Sequence, residues 1–148
     1  MTDPAALVQT ESFLHLHFPL SIAMGVRVES HDEQGLVLTA PLELNHNHLG
    51  TAFGGSLGAI ALFAGYGLLW LEIGEADCHI VISSSAIRYE KPVHGRLRAI
   101  CHPPQPSELE ELRETYRKKG KARILLRVSL VEDGEVRASF DGVFVVMR

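Results

Sequence analysis

The chain has 148 residues, 46% of them hydrophobic, and a formal net charge of −4. That length suits one domain spanning 1–148 with its own core, and the negative balance offers no general attraction to nucleic acid. Its two cysteines, Cys78 and Cys101, form no CxxC pair, which argues against a disulfide framework or a cysteine zinc site and points to a reduced, cytoplasmic setting.

The N-terminal stretch carries Asp3 and Glu11 and lacks a basic start before an apolar run, so it does not read as a signal peptide. Thr2 or Asp3 before Pro4 opens a helix within 1–18, with Leu7, Phe13 and Leu14 on its packing side and Pro19 beyond its end. Met24, Val26 and Val28 alternate with polar neighbours, residues 32–35 turn, and Leu36, Leu38 and Ala40 resume the alternation as a hairpin. Residues 49–71 contain no charge and are long enough to cross a bilayer. Glycines at 50, 54, 55, 58, 65 and 67 and the acidic flank of Glu72, Glu75 and Asp77 argue against a membrane span and for a buried central helix over 54–73.

Alternation returns through Val81, Ser83, Ser85, Ile87 and Tyr89, and again through Leu97, Ala99 and Cys101. After the prolines at 103, 104 and 106, Ser107 with Glu110 predicts a capping box for an inserted helix over 107–119, stopped by Gly120 behind a basic last turn. Ala122, Ile124, Leu126, Val128 and Leu130 then alternate, Asp133-Gly134 supplies a tight turn, and Val136, Ala138, Phe140 and Phe144 return. The expected fold class is α+β: a six-stranded antiparallel sheet around one apolar helix, the only element able to fill its concave face.

This order resembles the hotdog superfamily of acyl-thioester enzymes, in which an Asn, a Gly and a His-Gly-Gly open the central helix. Here that string reads Asn47-His48-Leu49-Gly50-Thr51-Ala52-Phe53-Gly54-Gly55-Ser56, with Phe53 where the His would stand. The fuller string from Asn45 to Ser56 resembles the subfamily named after the YiiD C-terminal domain, which includes thioesterases and malonyl-acyl-carrier-protein decarboxylases. The resemblance covers roughly residues 19–148. It implies homodimers with sites between subunits, often paired as dimers of dimers, and the expected substrate is an acyl thioester of acyl carrier protein or coenzyme A; no cofactor is expected.

Gly54 and Gly55 at a helix start leave backbone N–H groups free to hold a developing oxyanion. Asn45 and Asn47 are the side-chain candidates, since an amide donates without a particular protonation state; with Gly55 they form the expected catalytic set. Both asparagines are also ordinary turn formers. Phe53, Gly54, Ser56 and Ser84 are expected to line the substrate, while Ser83 and Ser85 read as packing residues. His46 and His48 lack a third ligand, so no metal is expected. Where many hotdog thioesterases place a carboxylate, this helix has Ile60, Ala61, Leu62, Phe63 and Ala64; Glu72 lies too far along, and the directions of Glu90 and Asp141 are open. That gap favours decarboxylation of malonyl-acyl carrier protein, at the start of fatty acid synthesis, over short- or medium-chain thioester hydrolysis, with a non-catalytic binding module as a third reading. Arg88, Lys91, Arg117, Lys118, Lys119, Lys121 and Arg123 are expected to receive the acidic carrier or nucleotide.

Overall fold

A computed structural model of the chain describes residues 2–75 and 77–148. Asp3 accepts the Ala5 N–H and starts α1 (Pro4–His17). Pro19 then opens a second, short helix, α2 (Pro19–Ala23), because a proline that cannot continue one helix is well suited to the first turn of the next. The Ser21 hydroxyl donates to the Leu14 and Phe18 carbonyls and pins α2 to α1.

The strands are β1 (Arg27–Asp32), β2 (Gly35–Ala40), β3 (His79–Tyr89), β4 (Leu97–Cys101), β5 (Lys121–Glu132) and β6 (Glu135–Met147). They form one antiparallel sheet in the order β1-β2-β4-β5-β6-β3. The expected hotdog architecture is therefore present, with β1 and β3 at its edges. Asp133 and Gly134 both have positive φ, 53° and 72°, the backbone that a two-residue hairpin between right-twisted strands requires.

The central helix, α3 (Gly54–Ile73), lies in the concave face and buries Leu57, Ile60, Phe63, Leu68 and Leu69. By length and composition it could cross a bilayer, yet here those side chains meet the sheet and α1. Small residues set the approach: a Cβ on Gly65 would come within 2.3 Å of the Phe144 ring, and one on Gly67 within 2.9 Å of Leu36. An aromatic row from Trp70 through Phe13, Phe18 and Tyr66 to Phe144 joins α1, α3 and β6.

The inserted helix, α4 (Pro106–Lys119), begins one residue earlier than expected, and its capping pair is different. Gln105 is the N-cap and its backbone N–H donates to Glu108, not Ser107 with Glu110, because Pro106 occupies the first helical position. Leu112 and Tyr116 face the core, and Arg113 reaches the Glu72 carboxylate at 2.8 Å near the end of α3.

The alternation along β3 also differs from expectation. The register against β6 shifts between Ile82 and Ser84, a bulge that inserts one residue and exchanges the two faces. Ile80 and Ile82 lie opposite Val146 and Phe144 on the helix side; beyond the bulge Ser85, Ile87 and Tyr89, opposite Gly142, Phe140 and Ala138, take that side. Ser84, opposite Val143, is on the outer face, away from α3.

Candidate active site

Between β2 and α3 the chain turns through a short 3-10 segment, Leu42–Leu44, into Asn45. Asn45 is 3% exposed, and its Nδ2 donates to the Met24 carbonyl at 2.9 Å and the Pro41 carbonyl at 2.8 Å. Both amide hydrogens are thus committed, so Asn45 has none left for an oxyanion. The expectation that it contacts the thioester is corrected: it holds the loop to the body of the protein, while its backbone carbonyl accepts the Phe53 N–H at 2.7 Å.

Asn47 builds the next turn and keeps capacity in reserve. Its Oδ1 accepts the N–H groups of Leu49 (2.8 Å) and Thr51 (3.2 Å), and its Nδ2 donates to the Thr51 hydroxyl (2.8 Å). The second Nδ2 hydrogen has no acceptor among the described residues. Ala52 donates to the Val93 carbonyl at 2.9 Å, and the chain then enters α3 through Phe53, with φ −65° and ψ 133°.

No side chain caps α3. The Phe53 carbonyl takes the N–H groups of Ser56 (2.9 Å) and Leu57 (3.1 Å), which leaves those of Gly54 and Gly55 without an acceptor among the described residues. Two aromatic rings flank them. A Cβ on Gly55 would fall 2.4 Å from the Phe53 ring, and one on Gly54 3.3 Å from the Tyr89 ring, whose hydroxyl donates to the Gly54 carbonyl at 3.0 Å. Both rings are about half exposed, Phe53 at 55% and Tyr89 at 53%. The helix start therefore carries two free donors with an aromatic ring beside each glycine, where the helix dipole favours developing negative charge.

Two of the carboxylates lie elsewhere. Asp141 projects from the outer sheet face beside Arg127, and Glu72 is held by Arg113 near the far end of α3. Burial disfavours the thiolate form of both cysteines: complete burial pushes Cys101 up to about 12, and burial also raises Cys78.

The other expected residues divide. Phe53, Gly54, Gly55 and Ser56 converge at the helix start. Ser84 does not, because the bulge turns it outward and brings Ser85 to the helix side instead. Arg88 and Lys91 lie near the Tyr89 end of β3, where Lys91 pairs with Glu135 at 2.8 Å. Arg117, Lys118, Lys119, Lys121 and Arg123 stand at the opposite end, since Lys121 and His79 both lie opposite Met147. With α3 about 30 Å long, one chain does not bring the two basic groups together. A groove of about 800 Å³, lined by Val8, Phe13, Leu16, Trp70, Cys78 and Val81, also lies at that far end.

The family described as "Putative thioesterase (yiiD_Cterm)" matches residues 7–148. The chain belongs to this family. Among solved structures, a protein of unknown function from Chlorobaculum tepidum is 35% identical over 97% of this chain and 99% of its own, with a TM-score of 0.90. A protein described as a "putative thioesterase" from Shewanella oneidensis is 30% identical over 99% and 100%, with a TM-score of 0.85. One from Pseudomonas aeruginosa described as a "probable thioesterase", 22% identical over 99% and 96% with a TM-score of 0.81, shows the same fold. The chain is accordingly a hotdog-fold protein of a thioesterase family.

Two residues outside the expected set now matter in this YiiD-type chain. Tyr89, which the alternation marked only as a strand residue, stands over the helix start. Glu132 accepts the N–H groups of His94 (3.0 Å) and Gly95 (2.7 Å), beside the Val93 carbonyl that receives Ala52. Burial works against ionisation of Glu132, but these N–H groups, with Arg137, outweigh it and hold the carboxyl below its ordinary value. Its stabilisation is therefore present above the ordinary glutamate value of about 4.3 and is lost as pH falls from there through the lower folded value. The deficit in melting temperature of Glu132→Gln against wild type should be largest at neutral pH and close toward about pH 3; a deficit independent of pH would show that the charge is not what ties this loop.

Proposed function

We propose that the protein decarboxylates malonyl-acyl carrier protein to acetyl-acyl carrier protein, at the initiation of fatty acid synthesis. The observation that carries this reading is a pair of free N–H groups at the start of α3, set between two aromatic rings, with no carboxylate in the middle of the helix. Loss of carbon dioxide places negative charge on the thioester oxygen, which the N–H groups of Gly54 and Gly55 and the spare Asn47 hydrogen would hold. Hydrolysis makes a different demand, since water needs a base worth about 10²–10⁴-fold. The apolar faces of the Phe53 and Tyr89 rings would also replace part of the water around the malonyl carboxylate, favouring its departure.

The carrier or coenzyme A end of the substrate would meet Arg88 and Lys91 of one chain. The cluster at 117–123 would serve the same site only from a second copy, which fits a homodimer, or a dimer of dimers, with β3 as a free edge. Both cysteines being free agrees with a cytoplasmic setting.

A short- or medium-chain acyl thioesterase is the second reading, favoured by the description of the family itself. Mass spectrometry of malonyl-acyl carrier protein incubated with the protein separates them. Acetyl-carrier with carbon dioxide is expected; free carrier protein would make the chain a hydrolase, and an unchanged substrate would point to a binding module.

A further inference from the structure

Resting on the decarboxylation reading, we propose that Tyr89 donates the proton that completes the reaction. In that step the bond from the malonyl methylene to its carboxylate breaks, carbon dioxide leaves, and the electron pair enters the enolate of the thioester. The phenolic O–H of Tyr89 then breaks, and its proton forms the new C–H bond on that same carbon, giving the acetyl thioester. The phenolate recovers a proton from water, leaving hydroxide, and nothing is oxidised or reduced.

Three observations carry this assignment. The Tyr89 hydroxyl sits 3.0 Å from the Gly54 carbonyl and its ring lies beside the Gly54 Cα, on the residue whose N–H is one of the two free donors, so the phenol stands at the first turn of α3, next to the donors that would hold an enolate. The hydrogen bond it makes is dispensable: Gly54 lies inside α3, where its carbonyl already accepts from the following turn, and the phenol occupies a second lone pair. The ring is 53% exposed at the end of an edge strand, so it contributes little to the core and is placed where substrate arrives.

Other donors are less well placed. The His46 Nδ1 bonds to the Asn47 carbonyl within its own turn, and His48 is exposed on that turn. Ser56 stands in the first turn of the helix, but an aliphatic alcohol is a far weaker acid than a phenol. The carboxylates already described point away or are paired at the far end.

Tyr89→Phe keeps the ring against Gly54 and deletes only the O–H. With malonyl-acyl carrier protein as substrate, kcat for acetyl formation should fall about 10²-fold or more, while KM and melting temperature stay near those of wild type. A wild-type kcat in this variant would overturn the proposal, and so would a loss that appears only in KM and stability. Should the phenylalanine variant fold poorly, a fluorinated tyrosine placed at 89 keeps the shape and makes the phenol more acidic. The alkaline limb of the kcat profile must then move to lower pH, and an unmoved limb would overturn the proposal. If wild type itself forms no acetyl product, the decarboxylation reading fails; if wild type is active and Tyr89→Phe equally so, only the role of Tyr89 fails.

Discussion

Gly54→Pro should lose about 10²–10³-fold in kcat and little in melting temperature, whereas Gly54→Ala should keep most of its activity. Proline fits the position for two reasons. Gly54 is the first residue of α3, where a missing N–H breaks no helical bond, and Phe53 before it has φ −65° and ψ 133°, the extended backbone that a following proline favours. The substitution therefore removes one free donor and leaves the helix in place. Alanine is the matched control, because it keeps the N–H and adds only a Cβ at 3.3 Å from a half-exposed Tyr89 ring that can give way. Steady-state kinetics with thermal unfolding on both variants decides the matter. An equal loss in the two would mean that crowding, and not the N–H, is responsible. The contrast holds whether the oxyanion belongs to an enolate or to a tetrahedral intermediate.

The two asparagines should separate just as clearly, in opposite directions. Asn45→Ala leaves the Met24 and Pro41 carbonyls without their donor at a buried position, at a cost on the order of 2–4 kcal/mol, so its melting temperature should fall by several degrees. Activity per folded molecule should largely survive. Asn47→Ala loses acceptors for N–H groups near solvent, which water can replace, so its stability should change by less than about 1 kcal/mol. Its kcat should nevertheless fall about 10²-fold, because the spare amide hydrogen disappears from the turn that leads into Phe53 and Gly54. Asn47→Asp sharpens the test: the acceptors return, yet a negative charge now faces the developing oxyanion, and activity should not return with the stability. Circular dichroism melts and turnover numbers on the three variants check both halves.

Much of the fold was legible because its signals are local. The uncharged run over 49–71 contains all but the last two residues of the helix, and the alternation holds through most of β5 and the middle of β6. The failures have equally local causes. Pro19 both ends one helix and begins another, and only packing chooses the second. Around Pro106 two overlapping frames, Gln105 with Glu108 and Ser107 with Glu110, satisfy the capping pattern, and the proline ring decides between them.

Within the site, the glycine pair could be read from sequence because free N–H groups follow from a helix start without a capping side chain. The role of Asn45 could not, since it depends on the Met24 carbonyl 21 residues earlier. Ser84 and Ser85 exchanged faces through a bulge in a run of three serines, where no change of residue type marks the phase. Tyr89 was hidden by the same alternation that correctly placed it in a strand.

In the proposed reaction the free N–H groups of Gly54 and Gly55 receive the thioester oxygen. The most direct measurement is the amide NMR spectrum of the ¹⁵N-labelled protein during titration with a malonyl thioester analogue whose sulfur is replaced by methylene. The amide protons of Gly54 and Gly55 should move together, downfield, as hydrogen bonds to the carbonyl form. Shifts confined to the groove between α1 and the start of β3, with both glycine amides unmoved, would contradict that role.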